Sequence, residues 1–78
     1  MSKNAASPLA RAAMARLGDR RVTTLLLDDA KSAKPADRLQ AAQSLVDLAD
    51  WGRAAQLLAD QDTEVRTGTA CRLLIAVP

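Results

Sequence analysis

The residue types that enzymes use most often for acid–base, nucleophilic and metal chemistry are scarce in this sequence. The chain has no His and one cysteine, Cys71, so Ser–His, Cys–His and His–metal arrangements are excluded within it. Its eight Asp and one Glu include Asp28-Asp29 and Asp60-Asp62, which fall at predicted helix ends, where carboxylates cap helices or face solvent. Cys71 lies beside an apolar stripe and is expected to be a packing group. We therefore predict that the protein is not an enzyme and has no catalytic residue, metal ligand or bound cofactor.

The composition predicts a small all-α domain. Of the 78 residues, 17 are Ala and 12 are Leu, and Trp51 is the only aromatic residue. Ala is the best helix former and lets helices approach one another closely. With 49% apolar and 26% charged residues, the chain is not typical of disorder, and it has no apolar run long enough to span a bilayer. The net charge of +2 permits contact with nucleic acid without arguing for it.

The predicted domain organisation is simple. We expect residues 1–6 to be a flexible N-terminus and residues 7–78 to form one helical domain. The opening residues lack the apolar stretch of a signal peptide. A lone cysteine cannot form an internal disulfide, which fits a reducing compartment. We therefore expect a cytoplasmic protein that does not associate with a membrane.

Proline, glycine and aspartate divide the domain into five predicted helices. Ser7-Pro8 is a typical helix start, because a hydroxyl can cap the first turn and proline suits the first helical position. Gly18 is expected to end this helix, and Asp19 and Asp50 are expected to cap the second and fourth helices. The predicted ranges are 8–17, 20–30, 35–49, 51–59, and from residue 63 or 64 to the end of the chain.

Within the first predicted helix, apolar residues recur every four positions. Leu9, Ala13 and Leu17 form one stripe, and Arg11 and Arg16 lie off that stripe. Because an amphipathic helix buries its apolar stripe, we expect the three apolar residues to face the core and the two arginines to face solvent.

A repeat emerges when the first, third and fifth helices are aligned. Leu17, Leu45 and Leu73 then fall in one column at equal intervals, and Arg38 coincides with Arg66 in the same register. The second and fourth helices are also related, at a slightly longer spacing, through the pairs Leu26-Leu27 and Leu57-Leu58. Recurrence of this kind is typical of helical repeat proteins.

Two stretches of the chain resemble the first helix of HEAT repeats, particularly the short bacterial HEAT-like and phycobilisome-lyase-type repeats. They are residues 36–45 and, more closely, residues 60–73, in which Asp62, Val65, Arg66, Ala70 and Leu73 match that family's pattern. The resemblance implies a five-helix antiparallel HEAT-like solenoid fragment, with helices in the order A-B-A-B-A over residues 9–76.

The same resemblance implies structural roles for three polar residues. Arg66 would point into the turn between repeats and bind Asp62 or a main-chain carbonyl, and Arg38 would do the same one repeat earlier. Arg66 and Arg38 are therefore expected to stabilise the fold rather than bind a ligand.

Several apolar residues are candidates for binding a partner. Trp51, at a predicted turn between helices, either fills the top of the core or stands out as an interface anchor. Leu74, Ile75 and Val77 lie near the end of the fifth helix with no polar capping helix after it, although repeat arrays normally have polar outer faces on their terminal units. Either another chain covers these residues, or the fifth helix folds over the third and fourth and hides them.

A basic strip is the other candidate surface. Arg20, Arg21 and Arg53 lie near the starts of the second and fourth helices, with Lys31 and Lys34 in the intervening loop. The strip could contact phosphates, as in HEAT-like DNA glycosylases, or acidic protein, or it could be a solvated surface. No aromatic residue interleaves with it, so stacking on single-stranded bases is unsupported.

These features favour a non-catalytic protein–protein interaction module. It would be a small adaptor, an inhibitor, a subunit of a larger complex or a homo-oligomer. The alternative is a nucleic-acid-binding protein that uses the basic strip. A chromophore lyase, by analogy with phycobilisome-lyase repeats, has the least support because the chain lacks evident acid–base residues.

Overall fold

A computed structural model describes residues 8–78 of the chain. Every regular element in this range is helical. The elements are α1 (Pro8–Arg16), a 3-10 turn (Arg20–Val22) leading into α2 (Thr23–Asp29), α3 (Pro35–Asp47), α4 (Trp51–Ala55) continued by a 3-10 turn (Gln56–Ala59), and α5 (Thr63–Ala76). We call α4 and its 3-10 continuation the α4 segment. The all-α prediction is confirmed for the described range, whereas the predicted Ser7 cap and flexible residues 1–6 lie outside it.

Aspartates begin two of the helical segments, and of these two caps the one at Asp19 was predicted. The Asp19 carboxylate accepts a hydrogen bond from the main-chain N–H of Arg21, and that of Asp62 accepts two from the first turn of α5. The prediction that Asp50 caps the fourth helix was wrong. Its carboxylate makes no capping bond and instead lies 3.0 Å from Nη1 of Arg53.

Residues in the left-handed backbone region end α1 and α3. Gly18 has φ +80°, which glycine adopts without steric cost, and Ala49 has φ +60°. The third helix therefore ends at Asp47 rather than at the predicted Ala49.

Helix α3 lies at the centre of the fold. It contacts α1, α2, the α4 segment and α5, whereas α5 has contacts only with α3 and the α4 segment among the described elements. The described residues form a slab of 34 × 29 × 15 Å. Its largest fully buried apolar side chains are Leu26, Leu45, Val22 and Val65. None of the helices within residues 8–78 combines the length and apolar character needed to cross a bilayer.

The inward face of α1 is the opposite of the predicted one. Leu9 and Leu17 are 70% and 87% exposed, whereas Ala12 and Ala15 are buried. Arg11, expected to face solvent, is also buried. Small alanines let α1 approach α3 closely, and the buried arginine has a partner on α2.

The predicted column of leucines therefore does not hold throughout. Leu45 is fully buried and Leu73 packs against the core, but Leu17 is exposed. The structural counterpart of Arg38 in α1 is Arg11, which lies one residue out of the predicted register. The predicted register aligns Arg38 of α3 with Arg66 of α5, and the contacts of both arginines are described below.

Candidate interaction surfaces

A buried ion pair joins α1 to the end of α2. The guanidinium of Arg11 forms a bidentate ion pair, which we call a fork, with the carboxylate of Asp29. Its Nε lies 2.7 Å from Oδ2 and its Nη2 lies 2.6 Å from Oδ1. Both side chains are almost completely withdrawn from solvent. Hydrogen bonding to Asp29 raises the pKa of Arg11 above its ordinary value. Asp29 was predicted to cap a helix or face solvent, and that prediction was wrong.

The same fork joins α3 to the end of the α4 segment. Arg38 donates from Nε to Oδ2 of Asp60 over 2.8 Å and from Nη2 to Oδ1 over 3.0 Å. The Asp60 carboxylate also accepts the main-chain N–H of Asp62. The hydrogen bonds from Arg38, and to a smaller extent the one from the N–H of Asp62, lower the pKa of Asp60. Nη1 of Arg38 donates to the carbonyl of Ser32 at 2.9 Å, which closes the loop before α3.

Arg66 repeats one half of this arrangement on α5. Its Nη1 donates to the carbonyl of Asp60 at 2.7 Å, six residues earlier, as Arg38 does to Ser32. Its Nη2 lies 3.1 Å from Oγ1 of Thr63 on its own helix, and its Nε has no hydrogen-bond partner among residues 8–78. Asp60 thus connects Arg38 through its carboxylate with Arg66 through its carbonyl.

The outer side of α5 carries exposed aliphatic side chains. Leu74 and Ile75 are 82% and 83% exposed, and Val77 is 41% exposed. Leu73, the residue before Leu74, instead packs against the core. The sequence left two alternatives, that another chain covers these residues or that α5 hides them by folding over α3 and the α4 segment. Their exposure excludes the second alternative.

Trp51 lies at the first position of α4. Its ring is half-buried and packs against the core. The indole N–H is buried and has no hydrogen-bond partner within residues 8–78. The ring therefore contributes to the core of this chain, and its exposed part borders the surface.

The residues of the predicted basic strip are exposed but partly paired with carboxylates. Arg21 forms two hydrogen bonds with Asp19, which lower the pKa of Asp19 to about 2. Arg53 pairs with Asp50. Arg20 is exposed without an ion pair among the described residues.

A groove of about 260 Å³ between α2 and the α4 segment is lined by some of the residues of this strip. Lys31 and Arg53 line it together with Asp60 and apolar residues of both segments. Arg20 and Arg21 do not line the groove, and Lys34 is exposed in the loop before α3. The structure therefore brings only part of the predicted strip together.

The remaining candidate groups do not form a chemical site. Cys71 is exposed on α5 with a free thiol, so the prediction that it packs was wrong. Within the described residues, no three His, Cys, Asp or Glu side chains are grouped so that they could hold a metal ion. Asp47 on α3 instead pairs with Arg72 on α5 at 2.6 Å.

The residues that sequence reasoning missed are Arg11, Asp29 and Asp60. A signal for the two aspartates was present, because each ends a Leu-Leu-x-Asp sequence, at 26–29 and at 57–60.

Comparisons of the chain with models of protein families, with curated proteins and with solved structures found no match.

Proposed function

We propose that the protein is a non-catalytic module that binds another protein. The observation that carries this proposal is the exposure of Leu74 and Ile75 on α5, with Leu9 and Leu17 exposed on α1. Large apolar side chains grouped on a protein surface mark interaction sites. Because α1 and α5 both pack on the central α3 and do not contact each other, two separate outer faces are available.

We further propose that the helices are two HEAT-like units and the first helix of a third. The first unit is α1 with α2, the second is α3 with the α4 segment, and α5 opens the third. The support is the matching pair of forks, in which an arginine of the first helix binds the aspartate that ends the second. Stacked repeats bury their faces against neighbouring repeats, so the face of α5 that no helix within residues 8–78 covers is available to another helix.

Nucleic-acid binding is the weaker alternative. Lys31 and Arg53 share a groove, which favours an anion there. However, Asp60 lines the same groove, and Arg21 and Arg53 are each paired with a carboxylate. A surface whose cations are already compensated releases few counterions when it contacts phosphates.

The test compares the wild-type protein with a double variant, Leu74→Glu and Ile75→Glu, and with Thr67→Glu as the control, since Thr67 is an exposed polar residue of the same helix. Sedimentation velocity up to hundreds of micromolar measures self-association, and quantitative cross-linking in the source cell measures contacts with other proteins. We expect the double variant, but not the control, to lose a self-association or a defined cross-linked partner. A wild-type protein that stays monomeric and yields no cross-link sensitive to the double variant would overturn the proposal.

The same samples test the alternative. Titration of labelled duplex and single-stranded DNA and RNA at low salt should show no saturable binding. Salt-sensitive binding that weakens in Lys31→Gln and Arg53→Gln variants would replace the protein-binding proposal by the nucleic-acid one.

A further inference from the structure

The arginines of α3 and α5 are equivalent in their local contacts but not in their longer-range ones. Arg38 and Arg66 occupy the same position in the repeat register, and in each the Nη1 atom donates to the carbonyl six residues earlier. The opposite edge of Arg38, formed by Nε and Nη2, is occupied by the Asp60 carboxylate. The Nε atom of Arg66 has no partner among the described residues, and its Nη2 contacts only Thr63.

The helices around α3 and α5 explain this difference. Helix α3 contacts both the segment that precedes it, α2, and the one that follows it, the α4 segment. Helix α5 has a preceding neighbour, the α4 segment, but no following helix among residues 8–78. The carboxylate that binds Arg38 comes from the end of the following segment. The vacant edge of Arg66 is therefore the edge to which a following helix would bring a carboxylate.

The apolar residues show the same asymmetry. In α3, Leu45 and Val46 are buried. In the same register, their counterparts in α5 are Leu73, which is half-buried, and Leu74, which is 82% exposed. A helix that covered these positions would remove the exposed side chain of Leu74 from water.

The two internal pairs define what such a helix must carry. The segments that end at Asp29 and at Asp60 both finish in Leu-Leu-x-Asp. The first leucine of each, Leu26 or Leu57, is buried, and the aspartate forks onto the arginine of the preceding helix. One face of the helix end thus presents an aliphatic side chain and, three residues later, a carboxylate.

We propose that the outer side of α5 binds an amphipathic helix of a partner protein that ends in a Leu-Leu-x-Asp sequence. The partner's carboxylate forks onto Nε and Nη2 of Arg66, and its leucines cover Leu73 and Leu74. Charge-assisted bidentate pairing supplies orientation, and the apolar contact supplies most of the affinity. This inference rests on the proposed protein-binding function and adds the chemistry of the partner.

The probe is a peptide that copies residues 50–62 of this chain, with capped ends and a hydrocarbon staple. Such a short peptide would be weakly helical by itself, so the staple joins the positions of Gly52 and Gln56, which are both exposed in the α4 segment. We expect saturable binding to the full protein, with the largest changes in amide NMR signals at α5. Replacement of the peptide's Asp60 by Asn should weaken binding about tenfold, because it removes a charged hydrogen-bond acceptor.

Variants of the protein complete the test. Arg66→Gln should weaken binding of the aspartate peptide by a similar factor and leave binding of the asparagine peptide unchanged. Arg20→Gln, at an exposed arginine outside α5, should have no effect. Because the peptide substitution leaves the protein intact, loss of folding in Arg66→Gln would not prevent the test.

Three results would overturn the inference. They are equal binding of the aspartate and asparagine peptides, signal changes away from α5, and no binding at millimolar peptide. If one of them were found while the Leu74 and Ile75 double variant still abolished a complex, the protein-binding function would stand and only the Leu-Leu-x-Asp partner would be rejected.

Discussion

Arg11 of α1 and Asp29 at the end of α2 form a two-point ion pair in the interior of the protein, with N–O distances of 2.6 and 2.7 Å. The pair fixes the orientation of α1, because it requires the helix face that carries Arg11 to point inward. The aliphatic Leu9 and Leu17 consequently point outward. This contact thus accounts for the outward orientation of an apolar stripe that helix periodicity alone would place in the core.

Loss of one member of this pair should destabilise the protein strongly. Arg11→Met leaves the Asp29 carboxylate buried without its fork, which we expect to lower the free energy of unfolding by about 3 kcal/mol. The double variant Arg11→Met, Asp29→Leu should recover most of that loss, since two apolar groups then face each other. Arg16→Met, at an exposed arginine of the same helix, serves as the control. Urea unfolding followed by circular dichroism measures the changes, and strictly additive losses would contradict the prediction.

The Asp60 carboxylate should make stability depend on acidity. Hydrogen bonds from Arg38 and from the N–H of Asp62 lower its pKa in the folded state, whereas in the unfolded chain the value is about 3.9. The stabilisation is therefore complete above that value and is lost as the pH falls through the lower, folded pKa. Asp19, whose folded pKa is about 2, behaves in the same sense.

We expect the unfolding free energy to decrease as the pH falls from about 4 to about 2. Asp60→Asn should be less stable than wild type at neutral pH and should show a shallower decrease in this range. Urea unfolding at a series of pH values measures both effects. A slope that is unchanged in the variant would show that Asp60 does not contribute to it.

Ala49 is a site where glycine should stabilise the protein. Its φ of +60° places an L side chain in the left-handed region, which costs about 1 kcal/mol relative to glycine. Ala49→Gly should therefore raise the free energy of unfolding by up to about 1 kcal/mol. Ala36→Gly, in the first turn of α3, should lower it by a similar amount. Thermal unfolding distinguishes the two, and equal signs would be inconsistent with the strained backbone at Ala49.

The two helical glycines should respond in opposite ways to alanine. A Cβ on Gly68 would lie 2.5 Å from Cδ1 of Leu39, whereas a Cβ on Gly52 would meet nothing within 4 Å. Gly52→Ala should stabilise the protein by up to about 1 kcal/mol through helix propensity. Gly68→Ala should destabilise it, because the end of the Leu39 side chain, which packs against the core, would have to move away from the new Cβ. If Gly68→Ala were instead stabilising, Leu39 would move aside at a cost smaller than the gain in helix propensity.

Trp51 should contribute through its ring and not through its N–H. Because the indole N–H has no hydrogen-bond partner within the described residues, Trp51→Phe should change stability little. Trp51→Ala removes a half-buried ring from the core and should cost about 2 kcal/mol. Urea unfolding followed by circular dichroism compares the three proteins, since both variants lack the fluorescent residue. A large loss in Trp51→Phe would indicate a polar contact of the indole N–H.

Much of the secondary structure could be predicted from local signals. The residues at the starts of helices, such as Asp19, Asp62 and Pro35, act on neighbours in the chain, so their effect is visible in the sequence. The prediction that Asp50 caps α4 was wrong because a second local contact competed with the cap. Its carboxylate had a competing partner in Arg53, and propensity alone does not rank the two.

The candidate surfaces were predicted less well, because exposure depends on which helices meet. Leu74 and Ile75 could be named from the sequence, but whether α5 hid or displayed them required the positions of α3 and the α4 segment. The three basic residues Arg20, Arg21 and Arg53 looked like one strip because only their places at helix starts were known. In the structure, only Arg53 of the three lines the groove with Lys31, and both Arg21 and Arg53 are paired with carboxylates.

By itself, the sequence determined that the part of the chain covered by residues 8–78 is helical and where most of its helices begin. These properties depend on propensity, capping and periodicity, which act over a few residues. Only the tertiary structure decided which face of α1 is buried, because alanines occupy both faces and hydrophobicity ranks Leu9 above Ala12. It also decided that Arg11 could be buried, since that requires the carboxylate of Asp29, 18 residues away. The charge of a buried arginine is tolerated only where the fold supplies its counter-ion, and that partner lies beyond the reach of any local sequence pattern.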